Sequence, residues 1–147
     1  MVGRIVDWSA RIFVVPFFSA ALVVAANAAQ EQPVLEIELN KLEDTDEGCR
    51  SVFLFTNRTG HELNRFRVDL ILFDAAGVYK KQVLLDMAPL YENKKTIASF
   101  LLDEGPCAEI GSILVNDIPW CEDGAGNSVE CVQLLQVRSR SGVLLEK

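Results

Sequence analysis

The sequence is poor in the residues from which catalytic centres are built. It has one histidine, His61, set in the polar stretch Thr59-Gly60-His61-Glu62. That is little for a proton shuttle at neutral pH, and the setting reads as an exposed loop. No Gly-x-Ser-x-Gly elbow offers a serine nucleophile. No glycine-rich loop stands ready to cradle a phosphate. Positive charge is scarce as well: 14 lysines and arginines face 21 aspartates and glutamates, a net charge of −7. Phosphate backbones and anionic lipid repel such a chain, which argues against nucleic acid as a partner and leaves the membrane a role in export only. The cysteines at 49, 107, 121 and 131 are 58, 14 and 10 residues apart, with no Cys-x-x-Cys pair. A thioredoxin-like redox pair and a zinc site both need shorter spacings, so no cofactor is expected.

What the chain does have is greasy sequence, and part of it is local. Residues Ile12 to Ala26 read IFVVPFFSAALVVAA without a charge, after Arg4 and Arg11 and before Ala26-Asn27-Ala28. A basic start, a short apolar middle and small residues at the cut form a secretory signal. The run is about 15 residues, below the roughly 20 that cross a bilayer. Residues 1–28 are therefore predicted to be a signal peptide cleaved after Ala28, with an uncleaved anchor over Ile12 to Ala29 as the alternative. Arg4 and Arg11 are not adjacent and no cysteine lies near the cut, so neither a twin-arginine signal nor a lipid anchor is indicated. The mature chain, 29–147, carries 12 basic and 20 acidic residues, a net charge of −8. A periplasmic or secreted location follows.

Beyond the signal the hydrophobic pattern has period two. Leu35, Ile37 and Leu39 alternate with Glu36, Glu38 and Asn40, which describes a half-buried strand over Leu35–Leu42. Cys49–Asn57 is β-branched and aromatic on both faces, as in a central strand. Phe66–Asp74 alternates again, turns at Asp74-Ala75-Ala76-Gly77, and returns along VYKKQVLLD, where Lys80 and Lys81 look like edge protection. Further strands are predicted over Thr96–Asp103, Glu109–Asp117 and Val132–Arg140, with a short extension at 142–145. Seven short strands between turn signals, without a convincing helix, define an all-β, antiparallel, two-layer immunoglobulin-like sandwich in one domain.

The stretch VDLILFDAAGVYKKQVLLDMAPLYENKKTIASFLL resembles small exported bacterial immunoglobulin-like domains of the FxLYD type. The shared features are an apolar strand, a Phe-Asp-x-x-Gly turn, a return strand, a proline loop and a Phe-bearing strand. The resemblance spans roughly Arg67 to Leu102. Leu72-Phe73-Asp74 stands where that family has Leu-Tyr-Asp. The chain is also similar to uncharacterised periplasmic proteins of alphaproteobacteria. Both likenesses imply a fold and a compartment and supply neither a catalytic residue nor a ligand.

Export favours disulfides. Cys107 and Cys121 flank a predicted strand and should be over about 20 Å apart at 3.3 Å per residue, whereas a disulfide needs Cα atoms about 5.5 Å apart. Cys121 at the end of one strand and Cys131 at the start of its antiparallel neighbour would be close. The predicted pairs are Cys121–Cys131 and Cys49–Cys107.

Three functions are compatible with the sequence. The leading one is a noncatalytic exported domain acting on an unknown protein partner in the periplasm or envelope. Trp120 and the cysteine-bounded loop, with Asp123 and Asn127, form its contact surface; packing of Trp120 on the disulfide is the structural alternative. The second is a calcium or small-ligand module using Glu43-Asp44-Thr45-Asp46-Glu47 and the loop Glu122–Asn127. The third is a hydrolase with a dispersed site. Asn57-Arg58-Thr59 also matches a glycosylation sequon. Arg65, Arg67, Arg138 and Arg140 are expected to pair with Glu36 and Glu38 on the surface.

Overall fold

The alternating segments become strands that bury their apolar sides between two layers. The computed structural model describes Gly3 and residues 32–147, so the predicted signal and its cleavage site, apart from Gly3, lie outside the described residues. Eight strands run in order: β1 Val34–Thr45, β2 Gly48–Arg58, β3 Leu63–Phe73, β4 Tyr79–Asp86, β5 Lys94–Asp103, β6 Ser112–Asp123, β7 Leu135–Ser139 and β8 Leu144–Glu146. One sheet has the order β5-β2-β1-β7 and the other β4-β3-β6-β8. The described residues form an all-β sandwich, and 32–147 make one compact unit. A 3₁₀ turn at Cys107–Glu109 and a one-turn helix α1 at Cys131–Leu134 complete the described elements. None of the described helices is long and apolar enough to cross a membrane.

The first six strands pair as in an immunoglobulin-like domain, with β1, β2 and β5 in one layer and β3, β4 and β6 in the other. The tail differs from the expected all-antiparallel sheet. β7 joins β1 and β8 joins β6, both in parallel. The predicted strand Val132–Arg140 is in fact two elements: its first residues form the turn of α1, and only Leu135–Ser139 is extended. The proposed extension is a separate strand in the opposite sheet. The cause is the crossover: β7 leaves one layer for the other, so it cannot be the antiparallel neighbour of β6.

Two local features keep the apolar register inward. In β1 the pairing shifts between Leu39 and Lys41, which inserts Asn40 as a bulge. The shift moves the inward phase from Leu35, Ile37 and Leu39 to Leu42 and leaves Asp44 able to accept the Cys107 amide at 2.6 Å. In β6 the register shifts between its partners Trp120 and Asp117, a stretch that contains Pro119; a bulge is where a sheet tolerates proline. Between the layers, Phe55 of β2 meets Phe66 of β3 edge-on at 6.1 Å, with Phe53 packed beside Phe55 on the same strand. All three rings are fully buried.

Both disulfides are as predicted. Cys49 and Cys107 are bonded with Cα atoms 4.7 Å apart, and Cys121 and Cys131 with Cα atoms 6.2 Å apart. The reason given for the second pair needs correcting. Cys121 lies within β6, and Cys131 opens α1 on the way to the opposite sheet, so this bond fastens a crossover between layers. The Cys49–Cys107 bond does the same for the crossover from β5 to β6.

Candidate functional site

Because β-strand side chains alternate, Cys121 pointing into the core sends its neighbours Trp120 and Glu122 to the outer face of the second sheet. The same rule turns Phe66 inward and Arg65 and Arg67 outward on β3. Pairing of β3 with β6 then sets Arg67 opposite Trp120 and Arg65 opposite Glu122. The guanidinium of Arg67 lies 3.6 Å from the Trp120 ring centre and that of Arg65 4.3 Å from it. At these distances the ring quadrupole attracts both cations.

Each arginine is also held by a carboxylate. Arg67 donates from Nε and Nη2 to the two oxygens of Asp86 at 2.7 Å, a forked pair reaching across to β4. Arg65 donates from Nη1 to both oxygens of Glu122, at 3.1 and 3.0 Å. The hydrogen bond from Arg67 holds the Asp86 carboxyl below its usual range, and the same bond keeps Arg67 more firmly charged. The result is a fixed, charge-balanced patch of one tryptophan and two arginines. Trp120 does not pack on the Cys121–Cys131 bond, which lies on the opposite side of the strand.

The cysteine-bounded loop is a small hairpin. Val129 donates its amide to Cys121 at 2.8 Å, and Asp123 donates to Asn127 at 3.0 Å. Oδ1 of Asp123 accepts the amides of Ala125 and Asn127, while Oδ2 accepts the Asn127 side-chain amide. Those bonds, from the Asn127 side chain first, hold the Asp123 carboxyl below its usual range. Asp123 and Asn127, predicted as contact residues, are thus engaged with each other and shape the loop beside Trp120.

The other candidate residues are scattered and mostly engaged. In the acidic stretch, Glu43 pairs with Lys41, Glu47 pairs with Arg50, and Asp44 caps the 3₁₀ turn. Among the described residues no cluster of three or more His, Cys, Asp or Glu is placed to hold a metal ion. His61 is exposed and contributes its carbonyl, which accepts from Asn57 Nδ2. Asn57 itself is 1% exposed. Its amide also donates to the Leu90 carbonyl, and its oxygen accepts from the Thr59 amide and hydroxyl. The sequon asparagine is thus a buried structural hub, closed to a glycan in the folded protein.

A surface cleft of about 490 Å³ is lined by Asp74, Tyr79, Lys80, Ala108 and Glu109. Lys80 in its wall is bonded to Glu109 at 2.6 Å and Asp103 at 3.1 Å, which raises its affinity for the proton. A lysine serving as base or nucleophile needs the opposite shift.

Sequence reasoning found the partners of two of the four arginines and missed those of Arg65 and Arg67. Arg138 pairs with Glu36 and Glu38, and Arg140 with Glu38, as expected. Arg65 and Arg67 do not, because Glu36 and Glu38 stand on the first sheet and these arginines on the second. Outward phase was legible in the alternation; the pairing register, which selects Trp120, Glu122 and Asp86, was not. Compared with family models, with curated proteins and with solved structures, the chain matches none.

Proposed function

We propose that this is a noncatalytic, exported β-sandwich module of the periplasm or cell envelope that acts by protein contact, with Trp120 at the centre of its contact surface. The observation that carries the reading is the Arg65–Trp120–Arg67 stack, clamped at both ends by carboxylates. Tryptophan and arginine dominate the energetics of protein interfaces. Here they are ordered before any partner arrives, so binding loses little further side-chain entropy. Two cations and two anions leave the patch near neutral, which suits contact with a protein surface better than with a polyanion. Two disulfides point to an oxidising compartment, and the signal-like start of the chain supports export. The pairing of the first six strands supports kinship with the exported immunoglobulin-like domains that Arg67 to Leu102 resembles.

The test is affinity capture from envelope extracts with the wild-type protein and with Trp120→Ala. The variant should keep its far-ultraviolet circular dichroism and lose the captured partner. If it captures every partner as the wild type does, the surface has been assigned wrongly.

A further inference from the structure

β5 is the outermost strand of its sheet: β2 pairs with one side of it, and no described strand pairs with the other. Its ten residues, KKTIASFLLD, contain no proline, and its register with β2 is regular from Lys94 to Leu101, with one bulge at Leu102 near the end. An edge of this length displays a row of unpaired backbone groups, and edges are usually defended by short length, proline or bulges. The charges of β5 gather at its ends instead, Lys94 and Lys95 at one and Asp103 at the other, with Glu104 just beyond it. Between them the outward side chains include Ile97, 66% exposed, and Leu101, 39% exposed.

This pattern reads the same in reverse. We propose that a second copy of this chain pairs with the first, β5 to β5 in antiparallel, about a two-fold axis through Ser99. Residues directly opposite in an antiparallel pair must share a face, which restricts the axis to lie on a residue. With Ser99 on the axis, Ile97 of each copy stands opposite Leu101 of the other, and the lysine end of each strand lies alongside the acidic end of its partner. Placing the axis on Ala98 sets Ile97 against Ser99, which wastes the apolar match. Each Ile97 then lies between its own Leu54, its neighbour on β2, and the other copy's Leu101. Two exposed apolar residues per copy become one covered cluster. Asp103 is already held by Lys80 and Lys81, so Lys94 and Glu104, both exposed, are the charges left to attract each other at the two ends of the dimer. The product is one continuous eight-stranded sheet with closed symmetry, in which the β5 edges are consumed.

The inference deepens the reading that the protein acts by contact, and it uses a surface separate from Trp120. Sedimentation equilibrium of the purified protein should show a reversible monomer–dimer system. Lys94→Glu and Glu104→Lys each bring like charges together at both ends of the dimer and should weaken it about tenfold. Combining both changes in one chain, or mixing the two single variants, should restore wild-type association, because opposite charges again face each other. Ile97→Lys should leave a monomer. Trp120→Ala should dimerise like the wild type even where it loses a captured partner, which separates this surface from the one above. A protein that stays monomeric at every concentration overturns the proposal. So does a dimer indifferent to Ile97→Lys, or one in which the paired charge reversal fails to restore what the single reversals lose.

Discussion

Two carboxylates behave unlike surface acids. Glu38 is 1% exposed, yet Asn40 donates to it at 2.8 Å and Arg140 and Arg138 reach it at 3.1 and 2.6 Å. The Asn40 bond and the arginines outweigh burial and hold its carboxyl below the usual range. For Asp103 burial is the largest influence and pushes upward, but Lys80 and Lys81 together overcome it, and the net direction is down. A carboxyl whose pKa is lower folded than unfolded stabilises the fold above its unfolded value, and that stability disappears as pH falls through the folded one. Stability against urea should therefore hold from neutrality to about pH 5, then fall through and below the ordinary carboxylate range near pH 4. Asp103→Asn should lower stability by about 2 kcal/mol at neutral pH, since it removes charged hydrogen bonds, and should flatten the acid limb. Denaturant midpoints measured across pH check both. Asp123 makes a second point at this scale. Its oxygens already accept three hydrogen bonds from its own loop, so millimolar calcium should leave the melting midpoint unchanged; a rise would mean that the acidic loops bind the ion.

Among the elements, the β1–β2 hairpin fixes where β5 ends. Gly48 has φ of 125°, and a Cβ placed there would collide with the backbone of Asp103 and Glu104. The turn and the end of β5 touch main chain to main chain, which only glycine permits. Gly48→Ala should cost about 3 kcal/mol or more, from backbone strain and displacement of β5 together, and urea denaturation will read it. The β3–β4 turn relies on other chemistry. Asp74 accepts the amides of Ala76 and Val78, both at 2.9 Å, and Gly77 takes a φ of 76°. The Asp-Ala-Ala-Gly signal was legible because turns of this kind are local. β4 is an edge strand, as its lysines suggested, and those lysines have a second role there. Lys80 and Lys81 reach Asp103 on β5 and tie the two layers together along their open side.

At the level of the whole molecule, two sulfur bonds guard two passages between layers. The Cys49–Cys107 bond closes a loop of 58 residues and the Cys121–Cys131 bond one of 10. Chain entropy assigns them about 4 and about 3 kcal/mol. Cys49→Ser should accordingly lower the melting temperature more than Cys131→Ser. Calorimetry of both variants decides it, and equal losses would mean that packing around the bonds outweighs loop length. The core should respond most at its layer-spanning ring: Phe66→Ala should cost about 3–5 kcal/mol, because the cavity opens between sheets that cannot collapse onto it.

Alternation of apolar and polar residues, a local property, determined that this chain forms strands, which side of each faces the core, and where the tighter turns fall. Those are consequences of the two-residue period of extended backbone and of the conformations open to Asp and Gly. Of the cysteine pairings, distance along a strand excluded one of the three; the choice between the other two rested on a neighbouring-strand geometry that the structure replaces with a crossover between layers. Strand partners were decided only by the tertiary structure. Parallel docking of β7 on β1 brings Arg138 to Glu38, and the bulged pairing of β3 with β6 brings two arginines to Trp120. Register and sheet membership depend on contacts between residues far apart in the chain. The hydrophobic period constrains the face of a strand but is silent about its neighbour.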